Sequence, residues 1–131
     1  MNINKNPLIE TSEQIATSLS AIASSQRIAI LLAIGNGEAC VCHLETALGW
    51  RQAYISQHLM ALRKADILQD RREGRYIFYR LKNTTLLNLL TNSADLFGLA
   101  PENISTLINK RRYPSCECPQ CVTVMIQASS I

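Results

Sequence analysis

Between residues 41 and 81 the hydrophobic pattern changes period once, and that change leaves few folds open. The stretch "VCHLETAL" (41–48) carries Leu44 and Leu48 at i and i+4, and Gly49 then supplies a turn. "QAYISQHLMALRKA" (52–65) follows, with Ile55, Leu59 and Leu62 on one helical side. Two short helices joined by a tight glycine-containing turn are the signature of a helix-turn-helix. "ILQDRREGRYIFYRL" (67–81) then alternates on both sides of Glu73-Gly74, with Tyr76, Phe78 and Arg80 opposite Ile77, Tyr79 and Leu81. That pattern predicts a β-hairpin with Glu73-Gly74 at its tip.

Helical spacing governs the flanks. Ser12 can cap a helix bearing Ile15, Leu19 and Ile22. Ser24 or Ser25 can cap a second, with Ile28, Leu31 and Leu32 inward and "GNG" (35–37) as its stop. After the hairpin, Leu86, Leu89, Leu90 and Phe97 form a broad apolar face, and Pro101 can open a last helix in "PENISTLINKRR". The stretch "YPSCECPQCVTVMIQASSI" has two prolines and no helical stripe. The expected organisation is one domain over residues 1–112 and a cysteine-containing tail over 113–131. The fold class is mainly α with one β-hairpin, a winged helix-turn-helix.

Composition bears on the setting. A chain of 131 residues, 47% hydrophobic and poor in aromatics, builds an aliphatic core and often completes it by dimerising. No apolar run approaches the roughly 18 residues needed to span a bilayer. "MNINKNPLIETSEQ" lacks the apolar centre of a signal peptide. A cytoplasmic protein without a membrane partner is therefore expected. In that reducing compartment five cysteines read as thiols for metal or redox chemistry, not as a disulfide framework.

A winged helix points to double-stranded DNA. The second helix of the pair would enter the major groove with its N-terminal residues nearest base edges: Gln52, Ala53, Tyr54, Ser56 and Gln57. Glutamine can pair bidentately with adenine, and serine or tyrosine can meet a base or a phosphate. Arg63 and Lys64, further along, suit phosphates. At the wing Arg71, Arg72 and Arg75 flank a slim glycine tip able to reach a narrow minor groove. The net charge of +3 fits this reading. The plainer alternative is a solvated basic hairpin on a partner-binding domain. Enzyme readings fare poorly, because there is no glycine-rich phosphate loop. Cys42 and His43, as adjacent helical residues, point about 100° apart and would not meet as nucleophile and base.

Over "SQRIAILLAIGNGEACVCHLETALG", "QAYISQHLMALRKADIL" and "DRREGRYIFYRL", the chain resembles the ArsR/SmtB family of metal-sensing winged-helix repressors. The likeness runs closely from Ser25 to Leu81. It implies a homodimer paired through its first and last helices, in agreement with the stripes at Ile15, Leu19, Ile22 and at Leu86, Leu89, Leu90. It also implies an operator-binding repressor, released when an ion binds. Some relatives carry an Asp-x-His zinc site on the last dimer helix; here that helix has Asp95 but no histidine, so that site is expected to be absent.

The resemblance gives a meaning to "CVC", Cys40 and Cys42. Family members with this dicysteine bind soft metals through it. Amide groups and the positive dipole end at a helix N-terminus stabilise thiolates. Side chains at i and i+2 of a regular helix sit about 200° apart, so a shared target requires an unwound first turn. The alternative is that both thiols simply pack as small apolar groups. Two thiolates do not complete a site, and Glu45 stands where some relatives carry a third cysteine. Cys116, Cys118 and Cys121, in "CECPQC", are the further donors the chain offers, at spacings that suit chelation. Thiolates select cadmium, lead, zinc or trivalent arsenic and antimony. His43 is expected to be exposed and His58 to pack or cap; neither is taken as a ligand. Two rivals remain: a redox or persulfide sensor of the same fold, and a metal buffer or metallochaperone.

Overall fold

The computed structural model describes residues 6–99. The last helix expected from Pro101, the tail boundary at 112/113 and the tail cysteines lie outside the described residues. The elements run α1 (Pro7–Ser20), α2 (Ser25–Ile34), β1 (Ala39–Cys40), α3 (Val41–Leu48), α4 (Gln52–Lys64), β2 (Leu68–Glu73), β3 (Tyr76–Leu81) and α5 (Thr85–Leu96).

The helix-turn-helix and its wing form as the periodicity requires. On α4, Ile55, Leu59 and Leu62 are buried, and on α3 Leu44 is fully buried. Gly49 closes α3 in the left-handed region at φ 70°, where a glycine carries no Cβ penalty. The two strands of the wing pair antiparallel from Leu68↔Leu81 to Glu73↔Tyr76. The tip is therefore Gly74-Arg75, one residue later than Glu73-Gly74. Glu73 still belongs to the ladder, and Gly74, at φ 61°, takes the positive φ a two-residue hairpin demands.

A third strand was not visible in the sequence pattern. Residues Ala39–Cys40 pair with β3 through Ala39↔Tyr79 and Cys40↔Phe78, giving the order β1-β3-β2. Successive side chains of a strand face opposite ways. Ala39 and Tyr79 thus join the main core, whereas Cys40 and Phe78 make a separate buried pair on the other face, with Cys42 and Tyr76 against it.

Several flanking expectations are corrected. The helix expected from Ser12 begins at Pro7, because Asn6 accepts a hydrogen bond from the Leu8 amide at 2.9 Å and proline suits the first turn. Ser12 lies inside α1 and its hydroxyl donates to the Ile9 carbonyl. Ile22 is buried, but beyond the end of α1. Helix α2 is capped by Ser24, whose Oγ accepts from the Arg27 amide at 3.2 Å. Its buried residues are Ile30, Leu31 and Ile34, while Ile28 and Leu32 pack only partly. "IAILLAI" is apolar on every side, so no stripe marks its inner face. On α5 the inward residues are Leu87, Leu90 and Ala94; Leu89 and Phe97 are exposed.

Two apolar surfaces are exposed among the described residues. Helix α1 buries no residue, and Leu8, Ile9, Ile15 and Leu19 are exposed along it. At the far end of the described residues Leu96, Phe97 and Leu99 are exposed as well. Among the described residues no single helix is long and apolar enough to cross a membrane; α1 and α2 are bent by 72° to one another.

Candidate nucleic-acid interface and thiol pair

Burial of Ile55, Leu59 and Leu62 turns the opposite side of α4 outward. Ala53, Gln57, Met60 and Lys64, at i, i+4, i+7 and i+11, form the centre of that exposed stripe. Gln52, Tyr54 and Arg63 flank it, and Ser56 is half-buried at its margin. Sequence reasoning passed over Met60, which is 60% exposed in the middle of the outward face. The i+3/i+4 spacing from Gln57 was the signal that could have found it.

The N-terminal half of this face is braced by ring contacts and hydrogen bonds. The Tyr54 ring meets Trp50 edge-on at 5.5 Å and His58 edge-on at 4.9 Å. Arg27 donates from Nε to His58 Nδ1 at 3.4 Å and from Nη1 to the Ala21 carbonyl at 2.8 Å. Burial, and then the Arg27 charge, hold His58 below its ordinary value, so the neutral ring is favoured. His58 therefore packs, as expected.

The basic residues divide into two groups. Arg72 and Arg75 are exposed on the wing, and the Arg75 guanidinium lies 5.5 Å from the Tyr76 ring centre. Arg63 pairs with Asp70 at 3.2 Å, tying the end of α4 to β2. Arg71 has a different setting. Its Nε donates to both Glu38 carboxylate oxygens at 3.0 and 2.9 Å, and its Nη1 reaches Glu73 at 3.3 Å. Its guanidinium also lies 4.7 Å from the centre of the Phe78 ring. The hydrogen bond it donates to the Glu38 carboxylate is the chief cause that raises its already high value. Arg71 thus faces Glu38 and Phe78, and Arg72, the next residue along the strand, faces the other way.

The thiol pair sits where β1 becomes α3. Cys40 is the N-cap, in extended conformation at φ −84° and ψ 169°, and its Sγ accepts from the His43 amide at 3.4 Å. Because Cys40 lies outside the helix, the 200° separation of a helical i, i+2 pair does not apply to it. The two Sγ atoms are 2.9 Å apart, with Cys40 buried and Cys42 half-buried. His43 is buried rather than exposed, at 8%. The donor set is two soft thiols at a helix N-terminus, suited to a thiophilic ion but short of a complete shell. Among the described residues no group of three histidine, cysteine or carboxylate side chains could hold a metal. Cys116, Cys118 and Cys121 lie outside those residues.

Comparison with known proteins accords with this architecture. The sequence model of the bacterial regulatory protein, arsR family, matches residues 24–70. The chain is 44% identical over 61 residues to the arsenical resistance operon repressor of Escherichia coli, covering 46% of this chain and 52% of that one. It is 34% identical over 91 residues to the biofilm growth-associated repressor of Agrobacterium fabrum, covering 70% and 78%. The solution structure of apo-NmtR superposes with a TM-score of 0.62 at 32% identity, over 76% of this chain and 85% of that one. The matched stretch spans about half the length of the arsenic-resistance relatives.

Proposed function

Because the chain belongs to the arsR family of bacterial regulatory proteins, we propose that it is a homodimeric transcriptional repressor that leaves its operator when a soft metal or metalloid ion binds cysteine thiolates. The observation that carries this reading is the 2.9 Å approach of Cys40 and Cys42 at the start of α3. That helix packs directly on α4, so an ion held at the pair acts one helix away from the DNA-reading face.

In this reading the outward stripe of α4 enters the major groove. Gln52, Ala53, Tyr54, Ser56 and Gln57 lie towards its leading end, and Met60 adds an apolar surface. Arg63, Lys64, Arg72 and Arg75 meet phosphates and the groove edge. Arg71 contributes positive charge from the wing, balanced by Glu38 and Glu73. The exposed faces of α1 and α5 cover one another across a two-fold axis, which sets the spacing of two half-sites. Cys116, Cys118 and Cys121 complete the thiolate shell: three donors for arsenic(III) or lead, four for cadmium or zinc. Membership of a family of regulators weighs against a metal buffer or metallochaperone.

The test uses the full-length reduced protein and DNA selected by it from a random pool. Zinc, cadmium, lead and arsenite are titrated while thiolate-to-metal absorption and DNA anisotropy are followed together. Thiolate absorption and DNA release at the same stoichiometry support the reading. Release by a disulfide oxidant but by no ion supports the redox sensor instead. Removing the chain after Pro114 should lower metal affinity by orders of magnitude if the tail shares the site. A truncated protein that binds fewer ions but still lets go of DNA makes the tail a separate site.

A further inference from the structure

Cys40, Phe78 and Arg71 stand in one row across the three strands, through the pairs Cys40↔Phe78 and Arg71↔Phe78. Side chains in such a row project from the same face of the sheet. The thiol lies at one end, the buried Phe78 ring in the middle and the guanidinium stacked on that ring at the other end. Strands β1 and β2 are not neighbours; with β3 between them they lie about 9.5 Å apart at the usual strand spacing. The Arg71 side chain crosses that gap to grip Glu38 with its Nε on both carboxylate oxygens. Glu38 is two residues before Cys40, with Ala39 of β1 between them.

Residues 38–40 therefore form a short lever. One end carries the thiol and the other holds an arginine of the wing. We infer that the Glu38–Arg71 pair is the positioning link that carries ion binding at Cys40 and Cys42 to the wing. The inference rests on the repressor reading above and deepens it by naming the route of regulation. The physical reason is a constraint on the two sulfurs. An ion bound by both holds them at one fixed separation, about 3.8 Å on a tetrahedral zinc with Zn–S bonds of ~2.3 Å. Cys42 belongs to α3, whereas Cys40 belongs to β1, so fixing the pair resets β1 against α3. Phe78 fills the space beside Cys40 and yields little, since a packed interior transmits displacement. The shift of residues 38–40 passes through Glu38 to Arg71 and so to β2, moving the wing relative to α4. An ion can bias that movement only if the two wing positions suit it unequally, and the link supplies the difference.

The experiment compares the full-length parent with Glu38→Gln and Arg71→Lys, using cadmium as the probe. Glutamine keeps the shape of Glu38 and removes its charge; lysine keeps the charge of Arg71 but not the planar guanidinium that joins Glu38 to Glu73 and stacks on Phe78. For each protein, cadmium–thiolate absorption and the ratio of DNA dissociation constants with and without cadmium are measured. The inference expects normal thiolate absorption in both variants and a several-fold smaller ratio than in the parent. If the parent releases DNA and both variants release it with an equal ratio, the link is overturned while the repressor reading stands. Variants that no longer load cadmium would make the pair part of the metal site, and would overturn the inference too. A parent that holds DNA under saturating cadmium removes the repressor reading, and the inference with it.

Discussion

Truncating Leu96 tests the two-fold pairing of the exposed helices quantitatively. Leu96 is the last residue of α5 and is 77% exposed in the subunit, beside Phe97 at 75% and Leu99 at 62%. Burying a whole leucine side chain is worth about 1.5–3 kcal/mol. With three-quarters of the residue still in water, about 1–2 kcal/mol remains to be gained at an interface. Leu96→Ala gives up most of that in each subunit, and the two-fold doubles it to about 2–4 kcal/mol. At 1.4 kcal/mol per decade the dimer dissociation constant should rise by about 30- to 1,000-fold. Sedimentation equilibrium over a concentration series reads that constant, and far-ultraviolet circular dichroism should be unchanged because the subunit barely buries the side chain. A rise of less than about threefold would refute the pairing. Leu90 would be a poor probe, being buried in the subunit's own core, so a charge there threatens folding before assembly.

Three further outcomes follow from the same geometry. Arg72→Ala or Arg75→Ala should weaken DNA binding across all sequences and reduce the salt slope by about 1 per lost phosphate contact, as measured by anisotropy from low to high salt. Gln57→Ala and Met60→Ala should instead relax preference at particular base pairs; replacing a thymine by uracil at the Met60 position should weaken the parent and leave Met60→Ala unaffected. His58 is held below its ordinary value of 6.5, so the unfolded chain takes up its proton more readily than the folded one. The stabilisation is complete above that value and is lost as pH falls through the folded value; His58→Gln should flatten the acid limb of a urea stability profile.

Legibility in the sequence followed how many faces of an element are buried. On α4 only one face is buried, so Ile55, Leu59 and Leu62 could be read directly and the outward stripe followed from them. Helix α2 is enclosed by α3, α4 and β3, and its apolar run hid which residues lie deepest. Helix α5 divides its leucines between the subunit core and an outward side, a division no periodicity expresses. Strand β1 has two residues, too few to show alternation, and exists through its pairing with β3. The Asn6-Pro7 start of α1 was a readable capping signal that Ser12 obscured. Of the candidate site, the thiol pair was legible as a motif, and the irregular first turn that a shared target requires is met because Cys40 is the extended N-cap of α3. The Arg71–Glu38 pair joins residues 33 apart in the chain, and only the folded sheet brings them together.

In the proposed switch the thiols at the start of α3 release the protein from DNA. Cys42→Ser tests it most directly, since serine keeps the side chain's shape and removes the soft donor. Full-length parent and variant, both reduced and bound to the selected DNA, are titrated with cadmium and with arsenite while anisotropy is followed. The expected result is equal DNA affinity without the ion, release of the parent and retention of Cys42→Ser. A variant that lets go at the same ion concentration as the parent would contradict the claim.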